Sequence, residues 1–399
     1  MRLLVVGGGH ASLPLLAHAR PLIEAGAEVV LLSDRPELWY SGMTPEWLGG
    51  VYQRADVTVP LPPLCDREGV RFVQGVAVAL ARDAREVETA SGERLGYDLV
   101  AFDIGAVNPG DASGAIHTKP LHQIEALGTF LTEAAASGED RRLVIVGGGA
   151  AGVETALNVT ARPDLGRLDV VLVEPGDRLV SALPDHVGRW CERTLRARGA
   201  TVHLGARVAE ADDDGVTLKS GDRLGADAVL WATGSVGPSL FREAGLAVTE
   251  AGFARVNAGL RSLTDPRVFV AGDSAAVEGH EDLPRIGVHA VKQGPVLHEN
   301  TGRTLLAMRG GTSPEAVVLA PWRPYPAAPL ILSTGAHTAW YAVGPLALKG
   351  KTLLRLKHVV DRRWIDRYRE PQSYDALWDA RAAVDGPVRL AHPPPPASG

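Results

Sequence analysis

The chain carries the same glycine-rich turn twice, once at its start and once near its middle. The first copy reads RLLVVGGGHAS over residues 2–12, and the second reads RRLVIVGGGAAGVE over residues 141–154. Each turn follows a short apolar run, which predicts a buried strand, and precedes an alanine-rich segment, which predicts a helix. Two copies separated by about a domain's length indicate a duplicated domain rather than a solenoid.

A turn of this type binds the diphosphate of a dinucleotide. The first glycine allows the sharp bend, the second allows close approach of the backbone, and free N–H groups bind the phosphates. The second copy has all three glycines, Gly147, Gly149 and Gly152, and Glu174 ends the next strand about 20 residues later. A carboxylate there accepts hydrogen bonds from a ribose and repels a 2′-phosphate, which predicts NADH over NADPH. Arg178, close by, would weaken that preference.

The first copy departs slightly from this pattern, because serine stands at the third position. Serine is small enough for the close packing of helix on strand, so this copy is also predicted to bind a dinucleotide. Either of two residues at the end of the next strand could hold its ribose. The predicted binding residues of the first copy are Gly7, Gly9, His10, Ala11, Ser12, and Ser33 or Asp34.

The pattern of strands and helices predicts an α/β fold with two Rossmann-like domains. We expect strands at 2–6, 29–32, 142–146, 169–174 and 266–271, and helices at 10–25, 150–161 and 353–369. The predicted first domain is discontinuous, spanning 1–115 and 250–305, and encloses a second domain at 116–249. A small α+β subdomain at 306–385 and a flexible proline-rich tail at 386–399 complete the prediction.

Composition excludes several classes of protein. The net charge of −6 gives no attraction for a phosphate backbone, so no nucleic-acid partner is expected. The two cysteines, Cys65 and Cys191, are far apart, and the 12 histidines lack metal-ligand spacing, so neither a disulfide framework nor a metal site is predicted. The chain reaches its first turn by residue 7 and has no apolar run of about 18 residues, which favours a cytoplasmic protein.

A third motif, TDPRVFVAGDSAAV at residues 264–277, consists of a strand followed by Gly272 and Asp273. Together with the two turns, it resembles the pyridine nucleotide-disulfide oxidoreductase superfamily, whose flavoproteins bind two dinucleotides. The resemblance implies FAD in the first domain, contacted by Asp273, and NAD(P)H in the second. Short family elements are similar to FDIGAVNP at 102–109 and WATGSVGP at 231–238, which contribute Gly105 and Gly234.

The segment LWYSGMTPEWLGG follows the first unit, where disulfide reductases of this superfamily carry redox cysteines. Because this segment lacks cysteine, the chain resembles the type II NADH dehydrogenase-like branch of the superfamily. This resemblance implies direct flavin chemistry, with Ser41 and Gly42 beside the flavin. In that branch, two glutamines line a quinone pocket. GVHAVKQGPVLHEN at 287–300 has Val288 and Lys292 in their places, with Gln293 adjacent.

Catalytic roles are predicted for four residues. Lys292 would stabilise the anionic reduced flavin, Glu154, which the resemblance places there, would face the nicotinamide, and Lys119, at the crossover into the second domain, would bridge the two cofactors. Lys292 has a plainer interpretation as a surface lysine on a helix, and Glu154 as a carboxylate that complements a helix dipole. The predicted catalytic set is Lys119, Glu154, Lys292 and Gln293.

The predicted C-terminal helix is amphipathic and basic. Its apolar stripe consists of Leu353, Leu356, Val360, Trp364, Ile365 and Tyr368. Such a helix either packs on the first domain with a solvated charged face or lies on the inner face of the cell membrane.

We therefore expect an FAD-dependent NAD(P)H oxidoreductase that passes electrons from NADH through flavin to a quinone or another small acceptor. Two alternatives stay open. One is a reductase of a protein carrier such as ferredoxin, and the other is a flavin-binding accessory module without turnover. A homodimer is also left open.

Overall fold

A computed structural model describes residues 1–325 and 327–369. It contains two five-stranded parallel sheets. The strands of the first sheet, in spatial order, are Val268–Val270, Leu99–Phe102, Arg2–Val6, Glu28–Ser33 and Arg71–Gln74. Those of the second are Ile116–His117, Ala228–Trp231, Arg141–Val146, Leu168–Glu174 and Thr201–Leu204. The predicted α/β class with two Rossmann-like domains is confirmed, and the first sheet takes an edge strand from beyond the second.

The helix that follows the first glycine turn is broken, so the single helix predicted at 10–25 is wrong. The structure has two short helices, Leu13–Ala17 and Arg20–Glu24, each with a proline in its first turn. Pro21 has no N–H to bond back to the preceding turn, so a second helix begins there instead of the first continuing. The second unit has one uninterrupted helix, Ala150–Val159.

Each unit also carries an antiparallel meander built around a Ser-Gly turn. Two similar segments predict these meanders, ARDAREVETASGERLGYDLVAFDIG at 81–105 and ADDDGVTLKSGDRLGADAVLWATG at 211–234. The first meander consists of Ala77–Ala81, Glu86–Thr89 and Arg94–Gly96, and the second of Val208–Asp212, Gly215–Leu218 and Arg223–Gly225. Asp111–Ala112 adds a parallel strand to the second meander.

The remaining elements connect and cover the sheets. The α-helices are Thr44–Leu48, Leu61–Glu68, Ile124–Ser137, Asp185–Ala197, Ser239–Glu243 and Gly287–Arg309. Short 3₁₀ turns occur at Arg54–Asp56, Leu121–Gln123, Pro163–Leu165, Gly272–Ser274 and Pro314–Ala316. Two small strand pairs join Glu37–Trp39 to Thr58–Pro60 and Ala254–Val256 to Ala275–Val277.

The C-terminal part is an antiparallel sheet followed by a long helix. Its strands are Leu330–Ser333, Ala339–Val343 and Leu346–Gly350, and its helix is Lys351–Arg369. The predicted tail at 386–399 and the end of the predicted 306–385 subdomain lie outside the described residues. Within the described ranges, no helix combines the length and apolar character needed to cross a bilayer.

The C-terminal helix packs on the protein through only part of the predicted apolar stripe. Leu356 and Val360 are 45% and 49% exposed, whereas Trp364, Ile365 and Tyr368 are buried. The buried residues of the helix are Lys357, Asp361, Trp364, Ile365 and Tyr368. Charged residues are seldom buried unless they are paired, so an apolar stripe alone could not identify this face.

Lys357 is buried because its ammonium group is surrounded by acceptors. Its Nζ lies 2.5 Å from an oxygen of Glu46 and 2.9 Å from one of Asp361, and it also donates to the Gly42 carbonyl. The His358 Nε2 lies 2.9 Å from the other Glu46 oxygen. Burial alone would lower the pKa of Lys357, but the neighbouring carboxylates outweigh it and raise that pKa. This cluster fastens the C-terminal helix to residues 42–46.

We predict that Lys357→Met lowers the free energy of unfolding by about 3 kcal/mol, because it leaves buried carboxylates without their cation. The loss should shrink as the pH falls, since Glu46 and Asp361 can then take up protons. Denaturant unfolding at pH 5 and pH 8 measures it. Arg363→Met removes a charge from the exposed face of the same helix and should change stability by less than about 0.5 kcal/mol. Equal losses in both variants would contradict the role of the cluster.

Candidate active site

The second glycine turn is an open cradle. Gly147 donates its N–H to the Val173 carbonyl at 2.8 Å and adopts φ +113°, a conformation that favours glycine. A Cβ on Gly147 would overlap the Ala232 carbonyl, and one on Gly152 would overlap the Gly147 carbonyl. A Cβ on Gly149 would meet nothing within 4 Å. The turn is therefore tight where strand meets helix and open where a diphosphate would approach, which fits a dinucleotide.

Glu174 is held against this turn by two backbone groups. Its carboxylate accepts from Gly148 N–H at 2.6 Å and from Gly176 N–H at 2.7 Å. The predicted ribose-binding carboxylate is thus fixed beside Gly148, between the first two glycines of the motif. The guanidinium of Arg178 lies 2.8 Å from Asp185 and donates to the Leu183 carbonyl, so it already has partners.

The first glycine turn differs because a carboxyl group fills it. Gly7 has φ +93°, and a Cβ there would overlap the Asp103 carbonyl, as in the second turn. A Cβ on Gly9, however, would overlap the side chain of Asp103. One Asp103 oxygen accepts from Ala11 N–H at 2.7 Å and from Ser12 N–H at 2.9 Å. Burial raises the pKa of Asp103 to about 7, although these N–H groups oppose the rise.

Sequence reasoning missed Asp103, but the signal was present. Aligning FDIGAVNP with WATGSVGP places Asp103 opposite Ala232. The strand registers agree, because Phe102 pairs with Val6 as Trp231 pairs with Val146.

The same comparison locates the ribose position of the first unit. Gly7 N–H bonds to Leu32 as Gly147 N–H bonds to Val173, so Ser33 occupies the place of Glu174. Ser33 is buried, whereas Asp34 is exposed and lies 3.5 Å from His122. Both residues stay predictions for ribose binding.

Several predicted residues meet at the Gly272-Asp273 turn. Gly272 N–H donates to the Gln293 side chain at 2.7 Å, and the Lys119 ammonium lies 2.7 Å from the Asp273 carboxylate. Ser274 donates to the Gly105 carbonyl at 2.7 Å. Lys119 therefore links the crossover into the second domain to this turn.

A pocket beside this turn contains polar atoms that lack partners. Its lining includes Asp273, Arg285, His289, Gln293 and Trp322. Both ring nitrogens of His289 and the indole N–H of Trp322 are buried without a hydrogen bond among the described residues. Such groups fit a polar ligand and are costly to leave unpaired.

The other two predicted catalytic residues contact different parts of the chain. The Lys292 ammonium lies 4.9 Å from the centre of the Tyr325 ring. Glu154 accepts from Ser333 N–H at 2.7 Å, and burial raises its pKa to about 8. Its charged neighbours include Lys357, Glu46 and Asp361 of the buried cluster.

The predicted flavin-side segment packs against the C-terminal helix. The His10 ring stacks on Trp364 at 5.3 Å, and Tyr40 stacks on the same indole at 4.3 Å. Ser41 Oγ lies 3.5 Å from His10 Nε2, while the Gly42 carbonyl accepts from Lys357. Burial lowers the pKa of His10 to about 4, so this ring is neutral at pH 7.

One further residue, Asn108, ties the two units together. Its side-chain amide donates to the Thr233 carbonyl at 3.1 Å and to the Gly234 carbonyl at 3.0 Å. Its oxygen accepts from Lys119 N–H at 2.8 Å. Asn108 follows a strand of the first sheet, and Thr233 follows a strand of the second. The carboxyl ends of both sheets, where dinucleotides bind in such folds, are therefore joined.

Neither cysteine is suited to thiol chemistry. Cys65 and Cys191 are free and buried, and burial raises the pKa of each to about 12. The thiolate is the reactive form, so both remain unreactive thiols at neutral pH.

Comparison with known proteins agrees with this geometry. The family model described as pyridine nucleotide-disulphide oxidoreductase matches residues 1–294. An NADH dehydrogenase-like protein of Mycobacterium tuberculosis is 30% identical over 305 residues, covering 69% of this chain and 73% of its own. A type II NADH:quinone oxidoreductase of Staphylococcus saprophyticus is 23% identical, covering 91% of this chain and 94% of its own.

Among solved structures, the sulfide:quinone oxidoreductase of Aquifex aeolicus superposes with a TM-score of 0.73 at 17% identity. The match covers 97% of this chain and 96% of the other, and it shows a shared fold. The chain belongs to the pyridine nucleotide-disulphide oxidoreductase family, in its type II NADH dehydrogenase-like branch, and is an FAD-dependent NAD(P)H oxidoreductase.

Proposed function

We propose that the chain oxidises NADH through its flavin and reduces a quinone. The observation that carries this proposal is the Asn108 link, which joins the carboxyl ends of both sheets. A nicotinamide bound at the second turn and a flavin bound at the first would then approach each other at one junction. The names of the relatives support NADH as donor and quinone as acceptor.

The chain's own residues supply binding and orientation. The second turn holds NADH by its diphosphate, with Glu174 beside the ribose, and the first turn holds FAD with Asp273 and the adjacent pocket. When bound, FAD accepts a hydride from NADH and returns electrons to a second substrate. Because Cys65 and Cys191 are buried thiols, no sulfur relay between donor and acceptor is part of this proposal.

Reduction of a quinone to a quinol needs one proton in addition to the hydride equivalent that NADH delivers, and the buried cluster offers a source for it. Glu154, with its raised pKa, holds a proton at neutral pH. Tyr40 donates to Asp361 at 3.0 Å, Asp361 contacts Lys357, and Lys357 contacts Glu46. Glu46 in turn contacts His358, whose side chain is 31% exposed. These contacts form a continuous polar path from the surface to Tyr40, which stacks beside His10.

The proposed reaction is tested by anaerobic titration of the purified protein with NADH. We expect a yellow protein whose flavin absorbance is bleached by NADH and recovers when a soluble quinone is added. Reoxidation by ferredoxin and not by quinone would indicate the protein-carrier alternative. A flavin that NADH never bleaches would indicate an accessory module, and a colourless protein would refute the proposal.

For the nucleotide preference, we predict that Glu174→Gln lowers kcat/KM for NADH relative to NADPH by roughly tenfold. The change removes a charge-assisted hydrogen bond to the ribose, worth about 1.5 kcal/mol or more, and relieves repulsion of a 2′-phosphate. Asp177→Asn removes an exposed charge from the following loop and should leave the ratio unchanged. The proposed role of Glu174 fails if the two variants shift the ratio equally.

For proton supply, we predict that Glu154→Gln slows flavin reoxidation by quinone several-fold while flavin reduction by NADH changes little. In the wild type, reoxidation should slow as the pH rises above about 8, where Glu154 loses its proton, and this decline should disappear in the variant. Stopped-flow absorbance separates the two half-reactions. Glu133→Gln, on an exposed helix face, serves as the control. An unchanged reoxidation profile in Glu154→Gln would show that Glu154 does not supply the proton.

A further inference from the structure

The two glycine turns occupy equivalent registers, so each is a reference for the other. In both, the strand beside the one that leads into the turn, Leu99–Phe102 or Ala228–Trp231, is followed by a residue whose carbonyl lies against the first glycine. That residue is Ala232 in the second unit and Asp103 in the first. The second turn is left open at Gly149, whereas the first is filled at Gly9 by a carboxyl group. The difference lies on the surface that a diphosphate approaches.

The side chain of Asp103 is buried and contacts two turns of the first unit. It is 4% exposed, and its second oxygen faces Gly272, where a Cβ would overlap it. Its first oxygen accepts from Ala11 and Ser12 N–H, two backbone donors of the turn. The carboxyl group therefore bridges the glycine turn and the Gly272-Asp273 turn, the two motifs assigned to FAD.

We propose that Asp103 competes with the diphosphate of FAD for the first turn, so that FAD binds only when the Asp103 carboxyl group is protonated. This inference rests on the proposed binding of FAD at that turn. A diphosphate carries negative charge, and a like charge beside a carboxylate favours its neutral form. The second turn has alanine at this position, so NADH meets no such competitor.

Of the ionisable groups described next, the Asp103 carboxyl group is the one expected to titrate between pH 6 and 9. In the glycine turn, burial lowers the pKa of His10 to about 4. From the Gly272-Asp273 turn, Asp273 is paired with Lys119 at 2.7 Å. Behind that turn, burial lowers the pKa of both His289 and Arg285. The pKa of Asp103 itself is raised to about 7.

The sign of the pH effect follows from linkage. If FAD binds the protonated form, binding takes up a proton wherever free Asp103 is ionised. The Kd for FAD should then be level below about pH 7 and rise above it, by up to about tenfold per pH unit. Between pH 7 and pH 9 the rise is about 50-fold, because Asp103 is already half ionised at pH 7. Removal of the ionisable group should abolish this slope.

The test uses the flavin-loaded protein, diluted to nanomolar concentration at pH 6, 7, 8 and 9, with released FAD measured by its fluorescence. We expect release to increase with pH in the wild type. Asp103→Asn should give a level profile and tighter binding at pH 9. Asp103→Ala introduces the residue type that the second unit has at Ala232, and it should behave in the same way. With two variants, the test remains possible if one of them fails to fold. Titration with NADH, which binds the second turn, is the internal control and should show no comparable slope.

Three results would overturn the inference. One is a wild-type Kd for FAD that stays constant from pH 6 to 9, and another is a slope that persists in both Asp103 variants. The third is an equal slope for NADH, which would indicate a global change in the protein. Purified protein without any flavin would instead refute the proposed function on which the inference rests.

Discussion

The site depends on the contact between a glycine and the carbonyl of a neighbouring parallel strand. Gly7 lies against the Asp103 carbonyl, and Gly147 lies against that of Ala232. A side chain on either glycine would push the turn away from the end of the neighbouring strand, which is Leu99–Phe102 in the first unit and Ala228–Trp231 in the second. Because this contact is the same in both units, the strand ends, the loops after them and the phosphate-binding N–H groups occupy matching positions. Asn108 can then join the two sets of loops at their carboxyl ends.

Local rules made the two units predictable from the sequence. Apolar runs before glycine turns gave the strands Arg2–Val6 and Arg141–Val146, and a helix propensity pattern gave Ala150–Val159. The first helix was harder, since composition favoured one long helix while Pro21 ended it. The two antiparallel meanders could also be predicted, because a Ser-Gly turn between segments of alternating polar and apolar residues indicates a hairpin. Such features depend on residues that are close in sequence.

Contacts between residues that are distant in sequence were harder to predict. The C-terminal helix shows this most clearly, because its apolar stripe gave no indication that Lys357 is buried and paired with Glu46. The partner of a buried charge is chosen by tertiary structure, which hydrophobic periodicity does not report. Asp103 was missed for a related reason, since a strand-end aspartate is usually exposed. Gln293 was named from a resemblance and Lys119 from its place at the predicted crossover, and the structure brings both to the Gly272-Asp273 turn.

The discontinuity of the first sheet has a consequence for synthesis on the ribosome. The second sheet has all its strands once residue 231 has emerged, whereas the first lacks Val268–Val270 until later. Domains fold as units as they leave the ribosome. The inner unit can thus reach its final form while the outer one still has an unpaired edge at Leu99–Phe102. The nascent chain would complete the unit proposed to bind NADH before the unit proposed to bind FAD, although the latter begins at the first residues translated.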